Sequence, residues 1–323
     1  MSAPKNSPKN SNVRRSRTNS TSNFSRPTRN DRRASVAFLV LALIGLSPAS
    51  AAAGEESDSA GGAERTAASD ESPESNGSAG GGSSDADGET TGEELVRRAL
   101  DKHALEVDEG RSTLKLTVEN RKGERVVREM TVNTKKVDGD ARTLVELTAP
   151  PDVDGQSFLF VSDPDGKDDI WMYVPAFDVT RRIEGSKRQG SFLGSHFTYN
   201  DLESRSLREA TYERKGTKSV GEYDVHVVVA RPEAGADSEY SKVRLFVRTG
   251  DYVPIRTEFY GDDGELQKTL FVERLETTDG GRQYVQQMKM SSENGGYSRI
   301  EVKSLSLDQN LPDSAFTEDQ LGE

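Results

Sequence analysis

The amino-acid sequence predicts a mainly β protein, in which one large antiparallel sheet of about 11–12 strands is curled into a barrel or half-barrel. From Leu114 onward, apolar and polar residues alternate, as they do in strands that have one dry face and one wet face. Gly and Asp mark many of the turns, for example at Gly261-Asp-Asp-Gly264. No alternation of strands with helices and no repeat of fixed period is visible, which disfavours α/β folds and solenoids.

The first 53 residues predict an export signal. They hold nine Lys or Arg and one acidic residue, and an apolar run of 11 residues at 36–46 follows Arg32-Arg33. This run is too short for a membrane-spanning helix, which needs about 20 apolar residues, but it suits the apolar region of a signal peptide. Ala49-Ser50-Ala51 and Ala51-Ala52-Ala53 offer cleavage sites. We expect a cleavable signal peptide at 1–53, with an uncleaved anchor as the alternative.

Residues 54–92 predict a disordered acidic linker that is rich in Gly and Ser. The segment contains no aromatic residue and no Leu, Ile or Val, so it cannot bury enough apolar surface to offset the entropy cost of folding. The rest of the chain, 93–323, predicts one folded domain with an excess of acidic residues. An acidic domain repels phosphate backbones, and no nucleic-acid partner is expected.

One helix is predicted where the domain starts. Thr91-Gly-Glu-Glu94 matches a capping box, in which the Thr hydroxyl and the Glu carboxylate satisfy free backbone N–H groups. Val96, Ala99 and Leu100 then recur at helical spacing. The alternating pattern beyond this helix predicts strands at 114–118, 126–132, 143–148, 157–161, 170–174, 179–183, 223–230, 242–248, 253–260, 266–275, 283–290 and 297–305.

The predicted sheet has a dry face that the predicted helices cannot cover. One helix at the start and a second cap from the region 184–201 are too few for a dozen strands. A concave apolar surface should therefore remain, partly filled by lids, and its natural occupant is an apolar ligand.

The sequence shows no catalytic or metal-binding constellation, and no enzyme activity, cofactor or metal is expected. It contains no Cys, which excludes disulfides, thiolate zinc sites, a Cys nucleophile and a lipid anchor on Cys. No Gly-x-Ser-x-Gly, His-Glu-x-x-His or phosphate-binding loop occurs. The best metal candidate is Asp163-Pro-Asp-Gly-Lys-Asp-Asp169, whose alternate carboxylates resemble a calcium loop. A β-turn between two strands explains this segment equally well.

Aromatic residues concentrate between Trp171 and Tyr199, a stretch of 29 residues that holds the sole Trp, two Tyr and three Phe. Pro175 should end a strand there, and the Gly- and Ser-rich stretch 185–195 predicts a mobile loop. A hairpin that packs its aromatic rings into the core is the alternative to a ligand site.

Motifs in this stretch resemble the signature of the outer-membrane lipoprotein-sorting family, the LolA-like periplasmic proteins of Gram-negative bacteria. They are Asp168-Asp-Ile-Trp-Met-Tyr-Val-Pro-Ala-Phe177, Arg181-Arg-Ile183 and Gly190-Ser-Phe-Leu-Gly-Ser-His-Phe-Thr-Tyr199, supported by Pro150-Pro-Asp-Val-Asp-Gly-Gln-Ser-Phe-Leu159 and Phe316-Thr-Glu-Asp-Gln-Leu321. The resemblance covers about 95–321. At His196 and Asn200 the sequence departs from the family pattern, which has acidic residues there.

The resemblance implies an incomplete β-barrel with an N-terminal helix and a helix or loop lid, which holds lipid acyl chains in transit across the periplasm. We expect the cavity to be lined or covered by Phe158, Phe160, Trp171, Tyr173, Phe192, Phe197 and Tyr199. Arg181 and Arg182 should meet a lipid headgroup or pair with Asp168 and Asp169. Segment 185–195 is the expected gate.

The expected partners are the acyl chains of a lipoprotein or lipid, an inner-membrane transporter that supplies the energy for loading, and an outer-membrane acceptor. Two other classes of function stay open. The first is a non-catalytic β-scaffold that docks onto an envelope transporter and fills its hollow with its own side chains. The second is a hydrolase that uses carboxylates, with or without calcium.

Overall fold

The computed structural model describes residues 90–103, 109–163, 168–202, 210–236, 238–307 and 309–323. The predicted signal peptide (1–53) and all but the end of the predicted linker (54–92) lie outside the described residues. None of the helices in the described part is long and apolar enough to cross a membrane.

Within the described residues, one antiparallel sheet of 13 strands forms the domain, and it does not close into a barrel. Strands β1 to β6 run outward from the middle of the sheet to one edge, and β7 to β13 return from the other edge, so that β13 pairs with β1. The mainly β fold with an incomplete barrel is therefore confirmed. The strands are β1 (Glu109–Glu119), β2 (Arg125–Val137), β3 (Asp140–Ala149), β4 (Ser157–Val161), β5 (Asp169–Val174), β6 (Val179–Arg182), β7 (Ala210–Val220), β8 (Tyr223–Pro232), β9 (Lys242–Arg248), β10 (Pro254–Tyr260), β11 (Leu266–Thr277), β12 (Gln283–Ser292) and β13 (Tyr297–Leu307).

Helix α1 (Gly92–His103) starts where the capping box predicts. The Glu94 backbone N–H donates to the Thr91 hydroxyl at 3.1 Å. The Glu94 carboxylate does not return the contact but accepts hydrogen bonds from Arg97 and Arg98. Leu95, Val96, Ala99 and Leu100 are buried against β7, β8 and β9. A Cβ on Gly92 would lie 3.0 Å from the backbone nitrogen of Arg214, so the helix packs closely against β7 at this glycine.

The main core lies on one face of the sheet, which we call the inner face. Alternate residues of nearly every strand contribute to it, as the period of two requires; examples are Leu114 and Leu116 on β1, and Met288 and Met290 on β12. Helix α1 and the segment that follows β6 complete this cluster. The inner face is therefore the dry face that the sequence predicts.

A second apolar cluster lies on the opposite face, which we call the outer face. The C-terminal strap, residues 309–323, buries Leu311, Phe316 and Leu321 against side chains that include Leu159 on β4. The strap is held by a hydrogen bond from Arg142 Nη1 to the Phe316 carbonyl oxygen (2.9 Å) and by an ion pair between Lys135 and Asp313 (2.8 Å). Strands β3 to β5 are thus covered on both faces.

Candidate functional site

Five of the seven predicted cavity aromatics come together on the inner face. Phe158 and Phe160 project from β4, while Phe192, Phe197 and Tyr199 come from residues 190–202, which we call the plug. The Phe192 ring lies 5.1 Å from Phe158, 6.3 Å from Phe160 and 5.6 Å from Tyr199, measured between ring centroids. Each of these rings is at least nine-tenths buried. The plug therefore fills the hollow of the half-barrel with side chains of the chain itself.

Beneath the plug a small cavity of about 30 Å³ remains. Every residue that lines it is apolar: Leu114, Leu116, Met130, Val132, Val145, Phe160, Phe192, Phe197, Leu202 and Ile300. Pockets that hold small-molecule ligands measure about 300–1,000 Å³, so this cavity has no room for an acyl chain. The structure is that of a closed protein, in which three plug side chains form part of the wall.

The plug is a tight hairpin of its own and not a strand of the sheet. The Phe192 N–H donates to the Phe197 carbonyl oxygen (2.8 Å), and the Tyr199 N–H donates to the Gly190 carbonyl oxygen (3.2 Å). At its turn Leu193 and Gly194 both adopt left-handed backbone conformations, with φ of 52° and 65°. A non-glycine residue in this region costs on the order of 1–2 kcal/mol, so the turn stores some strain.

Buried polar side chains fasten the end of the plug to the wall. We call Asp201, Glu239, Tyr240 and Lys268 the latch. The ammonium group of Lys268 on β11 contacts the Asp201 carboxylate at 2.7 Å, and the Tyr240 hydroxyl donates to the same carboxylate at 2.8 Å. The Thr198 hydroxyl of the plug donates to Glu239 at 2.8 Å. The latch thus joins the plug to β11 and to the segment before β9.

The latch contains two carboxylates and one cation. Burial, reinforced by the nearby charge of Asp201, raises the pKa of Glu239. Burial, with the two carboxylates beside it, also raises the pKa of Tyr240, so its hydroxyl keeps its proton and remains a donor. The latch is therefore a polar contact inside an apolar surrounding, which is strong while complete and costly when one partner is removed.

A second contact holds the tip of the plug. The backbone N–H of His196 donates to the Ser298 hydroxyl oxygen on β13 (2.9 Å), and the His196 Nδ1 lies 2.8 Å from the same oxygen. Partial burial, and to a lesser degree the charge of Lys268, lowers the pKa of His196. His196 occupies one of the two positions where the sequence departs from the family pattern of acidic residues. The lowered pKa favours the neutral imidazole, whose Nδ1 contacts the Ser298 hydroxyl.

Trp171 and Tyr173 do not reach the hollow, which corrects the prediction that they line it. Both lie on the outer face of β5 and pack against the cluster under the C-terminal strap. The Arg182 guanidinium lies 5.6 Å from the Trp171 ring centroid, and the Tyr173 hydroxyl donates to Asp178 at 3.1 Å. The Tyr173 ring also lies so close to Gly322 that a Cβ there would overlap it. Successive strand residues alternate faces, and Ile170 and Met172 take the inner positions of β5.

The four predicted charged residues have separate environments. Arg182 forms an ion pair with Asp169 and lies 3.1 Å from Glu184. Arg181 is exposed. Asp168 is buried, and its carboxylate accepts a hydrogen bond from the Asp163 N–H at 3.2 Å. These residues lie at the β5–β6 edge and not around the apolar cavity.

Sequence reasoning missed Arg188 and most of the latch. Arg188 is 5% exposed, and its guanidinium donates to the carbonyl oxygens of Asp168 (2.5 Å) and Ile183 (3.2 Å). A basic residue in a Gly- and Ser-rich segment gives no sign of burial. Lys268 did leave a signal, because it takes an inner position of β11 between Leu266 and Leu270.

The described residues contain no group of three His, Asp or Glu that could hold a metal ion. The loop that resembles a calcium site includes residues 164–167, which lie outside the described residues.

The chain is similar to one protein-family model and to several solved structures. A family model described as "-like: Uncharacterized protein" matches residues 139–323, more than half of the chain. A DUF1329 family protein from Desulfovibrio piger is 27% identical with a TM-score of 0.66, covering 72% of this chain and 100% of its own. A domain from Vibrio parahaemolyticus, described as an outer membrane lipoprotein-sorting protein domain, is 25% identical with a TM-score of 0.64, covering 71% and 97%.

A third structure, a LolA superfamily protein from Nitrosomonas europaea, shares the fold at 21% identity. Its TM-score is 0.57, and the match covers 72% of this chain and 99% of that protein. The comparison with curated proteins finds no match.

Proposed function

We propose that the chain, which belongs to the family whose model matches residues 139–323 and shares its fold with outer-membrane lipoprotein-sorting and LolA superfamily structures, is a periplasmic, non-catalytic carrier of acyl chains. The acyl chains of a lipid or lipoprotein enter the inner face of the half-barrel and take the place of the plug. The observation that carries this proposal is the filling of the hollow by one separable hairpin, whose aromatic side chains lie where a ligand chain would lie.

The energies of the two occupants support such an exchange. Burying one large apolar side chain is worth about 1.5–3 kcal/mol, so Phe192, Phe197, Tyr199 and Leu202 together contribute roughly 6–12 kcal/mol. An acyl chain gains about 0.8 kcal/mol per buried methylene, which is about 12 kcal/mol for ~15 methylenes. The displaced plug offsets half or more of what the lipid gains. The net affinity is then moderate, as a carrier that must release its cargo requires.

The plug has the connections expected of a movable part. Its rings are held by packing, and its backbone pairs mainly with itself, so its removal leaves the sheet ladder intact. Two side chains of the sheet fasten it to β11 and β13. Lys268 on β11 contacts the Asp201 carboxylate and donates to the His196 carbonyl oxygen, and Ser298 on β13 accepts from the His196 N–H. Loading therefore requires these contacts to open, and we propose that an inner-membrane transporter drives this step and that an outer-membrane acceptor takes the cargo.

A reversible lock tests whether the plug must move. The chain has no Cys, and the His196 N–H lies 2.9 Å from the Ser298 hydroxyl, so the double variant His196→Cys/Ser298→Cys can form one disulfide across this contact. We expect the oxidised variant not to bind a fluorescent fatty acid, because the plug cannot leave. Reduction with dithiothreitol should restore binding.

The matched control is Thr134→Cys/Thr143→Cys. Their hydroxyl oxygens lie 3.3 Å apart on neighbouring strands, so this disulfide ties the sheet to itself and leaves the plug free. Its oxidised form should bind the fatty acid as the wild type does. If the oxidised plug lock binds equally well, ligand does not enter by displacing the plug and the proposed mechanism fails.

The second candidate is a β-scaffold that docks onto an envelope transporter without carrying lipid. The closed hollow favours it, because a cavity of about 30 Å³ leaves an acyl chain no room unless the plug moves. This candidate predicts that the reduced and oxidised lock variants both fail to bind fatty acid. It also predicts that both forms retain the same protein partner when they are pulled down from envelope extracts.

A further inference from the structure

Arg128 stands at the rim of the apolar hollow. Along β2 the inner-face residues become steadily more exposed: Val132 and Met130 are buried, Arg128 is half-buried, and Val126 is 45% exposed. Val132 and Met130 line the cavity, and so does Leu116, which lies directly opposite Arg128 on β1. Residues opposite each other in an antiparallel pair project from the same face. The guanidinium therefore leaves the sheet between the dry cavity and the solvent.

Arg128 has no counter-charge in the part of the chain that the structure describes. No carboxylate there lies within 4 Å of its guanidinium, and its buried Nε has no hydrogen-bond partner. Neighbouring arginines differ. Arg125, three residues earlier on the other face of β2, pairs with Glu119, and Arg299 on β13 pairs with Glu273 at 2.7 Å. The lack of a partner is notable in a protein that carries a net charge of −12.

We propose that Arg128 binds the phosphate of an anionic lipid headgroup while the acyl chain of that lipid occupies the hollow. This inference rests on the proposed carrier function and names the class of cargo. A half-buried cation beside apolar side chains is poorly solvated and gains from an anionic partner. The planar guanidinium fits a phosphate through two parallel hydrogen bonds. Its place at the rim matches an amphiphile, whose charged end stays near water when its chain is buried.

The plug tip lies at the same end of the sheet. Ser298, which holds His196, pairs across β1 with Val118, and Val118 pairs with Val126 on β2. Departure of the plug therefore opens the hollow beside Arg128. The headgroup site is carried by the sheet, and it stays in place when the plug moves.

Isothermal titration of the full chain with three probes tests this assignment: dodecyl phosphate, dodecyl maltoside and inorganic phosphate, with both amphiphiles below their micelle concentrations. The variants are Arg128→Gln, Arg128→Lys and, as the matched control, Arg125→Gln. We expect Arg128→Gln to weaken the binding of dodecyl phosphate about tenfold or more, because charged hydrogen bonds are lost. The affinity for dodecyl maltoside should not change. Arg128→Lys keeps the positive charge but cannot form two parallel hydrogen bonds, so its affinity for dodecyl phosphate should lie between those of the wild type and Arg128→Gln. The affinity of Arg125→Gln should equal that of the wild type.

Three results would overturn the inference. If Arg128→Gln weakens the binding of both amphiphiles equally, or of neither, Arg128 does not bind the headgroup, although the carrier function stands. If inorganic phosphate binds the wild type as tightly as dodecyl phosphate, the site takes a free anion and not a lipid. If the wild type binds neither amphiphile, the carrier function fails together with the headgroup site.

Discussion

Two titratable side chains that hold the plug respond to acid in opposite directions. The pKa of His196 is lowered below its ordinary value of 6.5, so the folded protein binds this proton less readily than the unfolded chain. The stability that the neutral ring provides is complete above pH 6.5 and is lost as the pH falls below it. The pKa of Glu239 is raised above 4.5, so the folded protein takes up its proton more readily. Acid relieves the cost of that buried carboxylate.

Replacement of His196 separates the two effects. His196→Asn keeps a polar side chain beside Ser298 but does not titrate. We expect the free energy of unfolding of the wild type to fall more steeply between pH 7 and pH 5 than that of His196→Asn, because only the wild type must accept the proton at His196. Urea unfolding at a series of pH values measures both slopes. Equal slopes would show that His196 does not contribute to the pH dependence.

At the level of single residues, the sequence does not predict the face of the sheet to which a side chain points. The period of two correctly puts Phe158 with Phe160, and Trp171 with Tyr173, on shared faces. Which face each pair takes is not written in the pattern, because β4 and β5 are covered on both sides and carry apolar residues at nearly every position. Motif composition grouped all these rings into one site, and the structure separates them by the thickness of the sheet.

At the scale of elements, strand prediction succeeded wherever one face is dry, and it missed β7. This strand (Ala210–Val220) is an edge of the sheet, and its residues are polar on nearly every position. Gly216, with a φ of 100°, lies at an irregularity in the pairing of β7 with β8, which further hides the period.

The predicted lid exists as a run of 3₁₀ turns, Gly185–Gln189, Phe192–Gly194 and Asn200–Leu202. Turns this short have no periodic signature in the sequence.

The plug predicts an unusual combination of effects for Phe197→Ala. Removing this fully buried ring should destabilise the protein by about 3–5 kcal/mol, the usual cost of a Phe→Ala change in a core. It should also tighten the binding of a fluorescent fatty acid, because the hollow is enlarged and less of the plug must be displaced. Thermal unfolding and fluorescence titration measure the two quantities on the same sample.

Phe316→Ala is the control for this prediction. Phe316 is as buried as Phe197 but packs under the C-terminal strap on the outer face. Its loss should lower the stability by a similar amount without changing the affinity for fatty acid. If both variants change the affinity alike, the gain reflects general loosening of the fold and not space made in the hollow.

At the scale of the whole molecule, the two faces of the sheet are covered by different segments of the chain. The inner face carries the hollow, the plug and Arg128, whereas the outer face carries Trp171 and the strap. The resemblance of short motifs indicated the family, and the alternation of apolar and polar residues predicted the sheet. The division between faces depends on which segments fold back over them. The sequence predicts a cap from 184–201 for the inner face, but the strap over the outer face is too short and irregular to be predicted as a cover.

Trp171 tests this division. Trp171→Ala should lower the stability, because the ring packs at the edge of the outer cluster, but it should leave fatty-acid affinity unchanged. In the wild type the emission of Trp171, the sole Trp, should not shift when fatty acid binds. A shift in emission, or a loss of affinity in the variant, would return Trp171 to the ligand site.

The central claim is that ligand and plug compete for one hollow, and hydrogen exchange with and without dodecyl phosphate measures this competition most directly. The amides of Phe192 and Tyr199 are hydrogen-bonded inside the plug, and that of His196 is bonded to Ser298. The account predicts that these three amides exchange faster when ligand is bound, while amides of β1 and β2 exchange more slowly. Plug amides that become more protected, or do not change while ligand binds, would contradict it.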